Sequence, residues 1–91
     1  MGQDQEVLET IIKAIVYHPE EVKTIRSVDD MGVLLRLWVA KKDMGLVLGQ
    51  RGVHASSIKL ILKLVGFQNG ARVSVKIEEP YQKIPDSSDS Q

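Results

Sequence analysis

A four-residue turn with a glycine at each end, Gly49-Gln50-Arg51-Gly52, separates two stretches of helical character and constrains this chain more than any other feature. Before it, a short helix is expected to begin near Asp43, which can cap it, and to run to Leu48. After it, a longer helix is expected from about Val53 to Val65, ending at Gly66, a residue type that commonly closes a helix. Glycines at 49 and 52 permit unusual dihedral angles and let the backbone approach a ligand closely. The first amides of the second helix point outward and favour an anion. Arg51 at the tip adds a charge suited to phosphate.

The flanking sequence supplies a sheet and one more helix. Val7, Leu8, Ile11, Ile12, Ile15 and Val16 recur at helical spacing, with Asp4 placed as an N-cap and Pro19 stopping the helix near Tyr17. Val22–Val28 and Val33–Ala40 form two strands around the turn Asp29-Asp30-Met31-Gly32. In the second strand Val33, Leu35, Leu37 and Val39 should face the core, while Leu34, Arg36, Trp38 and Ala40 face outward. Gln68-Asn69-Gly70 turns the chain, and Arg72–Glu78 alternates as a third strand with Val73, Val75 and Ile77 inward. The order α-β-β-α-α-β predicts an α+β fold, a two-layer sandwich with three helices on one face of a three-stranded sheet. Residues 1–79 are expected to form one domain, and residues 80–91 a disordered polar tail.

Ninety-one residues suffice for one core, and 43% apolar residues is ordinary for a globular chain. The absence of cysteine excludes disulfides and thiolate metal sites and fits a reducing, cytoplasmic setting. No run approaches the roughly 20 apolar residues of a membrane span, and Glu6 stands where a Met-Gly myristoylation motif wants Ser or Thr. The formal net charge of zero conceals a strong polarity. Residues 1–30 carry a net −4, residues 41–76 a net +6 with Asp43 their single acid, and residues 77–91 a net −3. Such a chain can present a basic face while remaining neutral.

The string Gly45-Leu46-Val47-Leu48-Gly49-Gln50-Arg51-Gly52 resembles the signature of the KH domain: glycine, any residue, two aliphatics, then Gly-x-x-Gly with a basic residue inside. The element order is similar to the prokaryotic, type II form of that fold. Single-domain size, the approach Val39-Ala40-Lys41-Lys42-Asp43-Met44-Gly45 and the early Pro19 resemble the small bacterial KH proteins of the KhpA type, over roughly residues 5 to 79. The resemblance implies binding of about four nucleotides of single-stranded RNA, the loop clamping the backbone. Carried over by position, Gly49, Gln50, Arg51 and Gly52 contact phosphates, and Gly45, Leu48 and Val53 line the groove under the bases. The resemblance implies a cytoplasmic RNA chaperone or post-transcriptional regulator without a cofactor, one that forms a homodimer or pairs with a larger KH-containing RNA-binding protein. Ala55 and the uncharged Gln50 depart from the commoner pattern and imply modest affinity.

Other readings are weaker. A helix-turn-helix DNA reader needs base-contacting side chains at the start of its second helix, and Val53-His54-Ala55-Ser56-Ser57-Ile58 is poor in Arg, Asn and Gln. For an enzyme, no nucleophile–base spacing, acid pair or metal-ligand cluster appears, and no Gly-Lys-Ser/Thr follows the glycines. A protein-interaction module is the stronger rival. On the helix from Val53, the residues Ile58, Ile61, Leu62 and Val65 should face the core, with Ser56, Lys59 and Lys63 in a polar wedge. Leu60 and Leu64 then lie nearly opposite the core, as a pairing surface. His54 is expected near the core-facing side, or against a phosphate. Trp38 is left out of the site, with Tyr81 and Ile84 expected to fold back over it.

Overall fold

Aliphatic residues at every second position from Val33 to Val39 fix the centre of the molecule. The computed structural model describes residues 3–78. In it β2 (Gly32–Trp38) is the middle strand, paired antiparallel with β1 (Lys23–Asp29) and parallel with β3 (Val73–Ile77). Leu35 stands opposite both Arg26 and Val75, and Leu37 opposite Thr24 and Ile77. Val33, Leu35, Leu37 and Val39 are buried, together with Val73 and Val75. Helices α1 (Gln3–Ile15), α2 (Met44–Leu48) and α3 (Val53–Gln68) contribute Leu8, Ile12, Val47, Ile58 and Leu62 to the same core. Each fully enclosed aliphatic side chain contributes about 1.5–3 kcal/mol. The molecule is the expected α+β sandwich, with a mixed three-stranded sheet.

The parallel pairing of β2 with β3 positions the loop. Parallel neighbours need a long crossover, and here it consists of a tight helical turn at Lys41–Asp43, α2, the glycine loop and α3. The loop therefore lies at a break in a crossover whose two ends are held by adjacent strands.

Several local expectations are corrected. Asp4 lies within the first turn of α1, nearly buried, where its Oδ1 accepts both the Gln5 amide at 2.6 Å and Arg26 Nε at 3.0 Å, so that it serves the helix start and β1 together. Gln5 Nε2 donates to Thr24 Oγ1 at 2.8 Å, and the same hydroxyl donates to Glu9, so α1 is tied to β1 by polar side chains. Helix α1 ends at Ile15, whose side chain is exposed and not part of the buried stripe. Ala40 is buried, not outward, because the chain has already left the strand. Asp43 holds the N-cap position of α2 without a side-chain cap bond. Its wholly buried carboxylate instead accepts the amides of Tyr17 (3.3 Å) and His18 (2.9 Å), pinning the chain just after α1.

Helix α3 runs past Gly66 to Gln68. Gly66 serves close packing: a Cβ there would lie 2.6 Å from Val73 Cγ2 and 2.8 Å from the Ala71 carbonyl oxygen. The buried stripe of α3 is Ala55, Ile58, Leu62 and Gly66, while Ile61 is 43% exposed. The expected stripe was rotated, since small residues mark the closest approach of the helix to the sheet. Expectations for the tail, including Tyr81 and Ile84, fall outside the described residues.

Candidate functional site

The break between α2 and α3 is built by backbone angles that few residues adopt. Gly49 has φ 71° and ψ 171°, which turns the chain out of α2 after its amide has closed the last turn on the Gly45 carbonyl at 2.9 Å. Gln50–Gly52 forms a single tight turn, closed by the Gly52 amide on the Gly49 carbonyl at 3.0 Å. Arg51 sits at φ 59°, ψ 23°, the one residue other than glycine with positive φ among the described residues. Left-handed geometry at such a residue costs on the order of 1–2 kcal/mol. The turn thus spends stability to hold an exposed guanidinium at its tip, beside the N-terminus of a 16-residue helix. Fixed donors, a positive helix end and a cation converge there, an arrangement that attracts phosphate.

Each residue named from sequence can be placed. Gln50 and Arg51 are exposed, Gly49 and Gly52 half-buried. Gly45 is exposed, and a Cβ added there would meet nothing within 4 Å, so this wall of the site is open to solvent. Leu48 and Val53, 37% and 52% exposed, flank the loop as apolar surface.

Three cations join this surface: Lys59 and Lys63, expected in the polar wedge of the helix, and Arg72, expected only as an outward residue of the third strand. Ser56, Lys59 and Lys63 repeat at helical spacing on α3 and are all exposed, in line with Gly52 at the loop's end. Lys63 lies eleven residues beyond Gly52, about 16 Å along the axis. Across from them runs edge strand β3, and Lys59, Lys63, Arg72, Val73, Ser74 and Val75 together line a furrow of about 500 Å³. A second concavity of about 450 Å³ shares Lys63 and Arg72 and adds Phe67. Among the described residues no carboxylate lines either one. The i, i+3, i+7 spacing of Ser56, Lys59 and Lys63 was the available signal; the approach of Arg72 comes only from the tertiary structure.

Other candidates separate from this surface. His54 is exposed, not core-facing; its Nδ1 lies 2.7 Å from the Leu46 carbonyl oxygen. Arg36 is engaged on the outer sheet face, 4.8 Å above the Trp38 ring and 2.8 Å from Glu78 Oε2, and its guanidinium holds the Glu78 carboxyl below the usual range. Leu60 and Leu64 are each 59% exposed and Phe67 80%, so with Val53 and Ile61 they form an uncovered apolar stripe along α3. Among the described residues the metal-ligand types that cluster are His18, Glu20 and Glu21, on and beside the exposed turn Pro19–Glu21. No described helix is long and apolar enough to cross a membrane.

A two-layer α-β-β-α-α-β domain whose crossover helices are joined by a Gly-x-x-Gly turn defines a KH domain in its type II arrangement. The model of the KhpA/KhpB KH-domain family matches residues 5–77, and the chain belongs to that family. It is 36% identical to the RNA-binding protein KhpA of Clostridium acetobutylicum over 73 residues, which cover 80% of this chain and 97% of that protein. Identity to the protein of the same name from Listeria monocytogenes is 33% over 75 residues, 82% of this chain and 99% of the relative. For the Bacillus subtilis protein of that name it is 32% over 73 residues, 80% and 90% respectively.

Proposed function

We propose that this chain binds single-stranded RNA, the loop Gly49–Gly52 gripping the sugar–phosphate backbone and Gly45, Leu48 and Val53 flooring the bases. The strand continues along the furrow of Lys59, Lys63 and Arg72. The observation that carries this reading is Arg51, held in left-handed geometry between two glycines with its side chain exposed. The relatives' name, RNA-binding protein, supports the same ligand class. A domain that grips about four nucleotides on an open surface suits an RNA chaperone or post-transcriptional regulator, acting without a cofactor.

Fluorescence-anisotropy titrations with a short single-stranded RNA and a matched DNA duplex, across a salt series, test the reading. Single-strand binding should weaken with salt at a log–log slope of about −0.7 for each phosphate neutralised. Replacing Gln50 and Arg51 together by Asp should abolish binding while circular dichroism and thermal unfolding stay unchanged. A double variant that binds normally means that the loop is not the site.

A second reading rests on the apolar stripe of α3 and is compatible with the first. Leu60 and Leu64 pair the domain with a second copy, or with a larger KH-containing RNA-binding protein, and two grooves so joined gain affinity through effective concentration. Leu60→Lys with Leu64→Lys should convert a sedimenting dimer to monomer. A wild-type chain that is already monomeric at high concentration removes the homodimer.

A further inference from the structure

We infer that His54 is a positioning residue for the RNA clamp, a latch that ties the helix before the loop to the helix after it; its effect on affinity rests on the RNA reading above, its geometry does not. In a continued helix the Gln50 amide would take the Leu46 carbonyl. Here the chain departs at Gly49, and the Leu46 carbonyl is met instead by His54 Nδ1 at 2.7 Å. A side chain in the first turn of α3 thereby satisfies a group orphaned at the end of α2.

The same ring lies against the first glycine of the loop. A Cβ added to Gly49 would sit 2.5 Å from His54 Cγ, 2.7 Å from Nδ1 and 2.9 Å from Cδ2. Gly49 is therefore required twice, by its φ of 71° and by the imidazole packed on it. Among the described residues no side-chain hydrogen bond or ion pair restrains Gln50 or Arg51. The left-handed turn at Arg51 is held from its ends, and His54 is the side chain that joins them. Because a carbonyl oxygen only accepts, the neutral ring must carry its proton on Nδ1.

Three variants, read by NMR spectra, anisotropy and unfolding, decide the matter. On the RNA-free protein at mildly alkaline pH, long-range ¹⁵N–¹H correlation spectra should show His54 as the Nδ1–H tautomer, and the Gly49 Hα should carry a ring-current shift that disappears in His54→Ala. In anisotropy titrations His54→Ala should weaken RNA binding about five- to tenfold, because the unlatched loop must be reordered on binding, while the lost bond lowers the unfolding transition only slightly. His54→Asn, which returns an N–H donor near the Nδ1 position, should recover most of that loss. A ring bearing its proton on Nε2 overturns the latch. So does a His54→Ala variant that binds like wild type while the Gln50/Arg51 double variant has lost binding; there the clamp stands and the positioning role falls. If the Gln50/Arg51 double variant itself binds normally, the clamp reading fails, and the tautomer and ring-current shift still rule on the latch.

Discussion

The hairpin turn Asp29–Gly32 and the loop Gly49–Gly52 are each four residues long, and each must bend the chain through angles that ordinary residues resist. In the hairpin the awkward angle falls on glycine: Gly32 has φ 124°. The turn also completes its own hydrogen bonding, with Asp29 Oδ1 accepting the Met31 amide at 2.8 Å. In the loop two glycines are available, yet a third positive φ is imposed on Arg51, and no side chain caps the turn. A connection that only joins two strands puts strain where it costs least. One that holds a charged side chain outward at some cost in stability has the character of a functional site, where strained backbone tends to persist.

The sharpest way to break this contrast is at Gly32. A Cβ there would lie 2.4 Å from the Arg72 carbonyl oxygen, and that carbonyl already accepts the Val33 amide at 2.7 Å. Gly32→Ala therefore combines an unfavourable φ with a collision against backbone that cannot move without disturbing β3. We expect a loss of about 3 kcal/mol or more, read by urea denaturation. A loss below about 1 kcal/mol would show that the hairpin tolerates a side chain and that the contrast is overstated.

Gly66 gives a smaller and more selective effect. Its backbone is helical, so alanine there gains about 1 kcal/mol in helix propensity. Against this stands a contact 2.6 Å from Val73 Cγ2, at the closest approach of α3 to β3. Gly66→Ala is expected to destabilise by about 1–2 kcal/mol net and, by pushing α3 from the strand that shares the basic furrow with it, to weaken RNA binding as well. Equilibrium unfolding and anisotropy on one variant check both parts. Full retention of stability would mean that the helix shifts to make room.

What the sequence made legible follows from which interactions are local. The alternation in Val33–Val39 and Val73–Ile77 needs no partner to be recognised, and it placed the sheet's buried face correctly. The loop was legible because Gly49 and Gly52 carry their meaning in residue type. Asp43 was misread for the opposite reason. It looks like a helix cap, a neighbour-scale role, yet the fold uses its carboxylate over long range for the amides of Tyr17 and His18, and Asp4 adds a long-range pair with Arg26 to its local bond with the Gln5 amide. Glycine at 66 has two uses, ending a helix or admitting a neighbour, and only the position of Val73 distinguishes them. The furrow stayed hidden because Arg72 reaches Lys59 and Lys63 through the return of the chain into β3.

The mildest change is the most informative about the loop. Arg51→Gly removes a strain of about 1–2 kcal/mol and adds back unfolded-state entropy of about 0.4–1 kcal/mol, so stability should stay close to wild type or rise by up to about 1.5 kcal/mol. RNA binding should nevertheless weaken severalfold, and the log–log salt slope should become shallower by about 0.7, the signature of one lost phosphate contact. The hairpin offers no such dissociation, since every loss at Gly32 is a loss of fold. If Arg51→Gly instead costs more than about 1 kcal/mol, the arginine anchors the turn and its left-handed angle is not strain. If affinity falls with an unchanged slope, Arg51 shapes the loop without touching a phosphate, and the electrostatic grip then belongs to Lys59, Lys63 and Arg72.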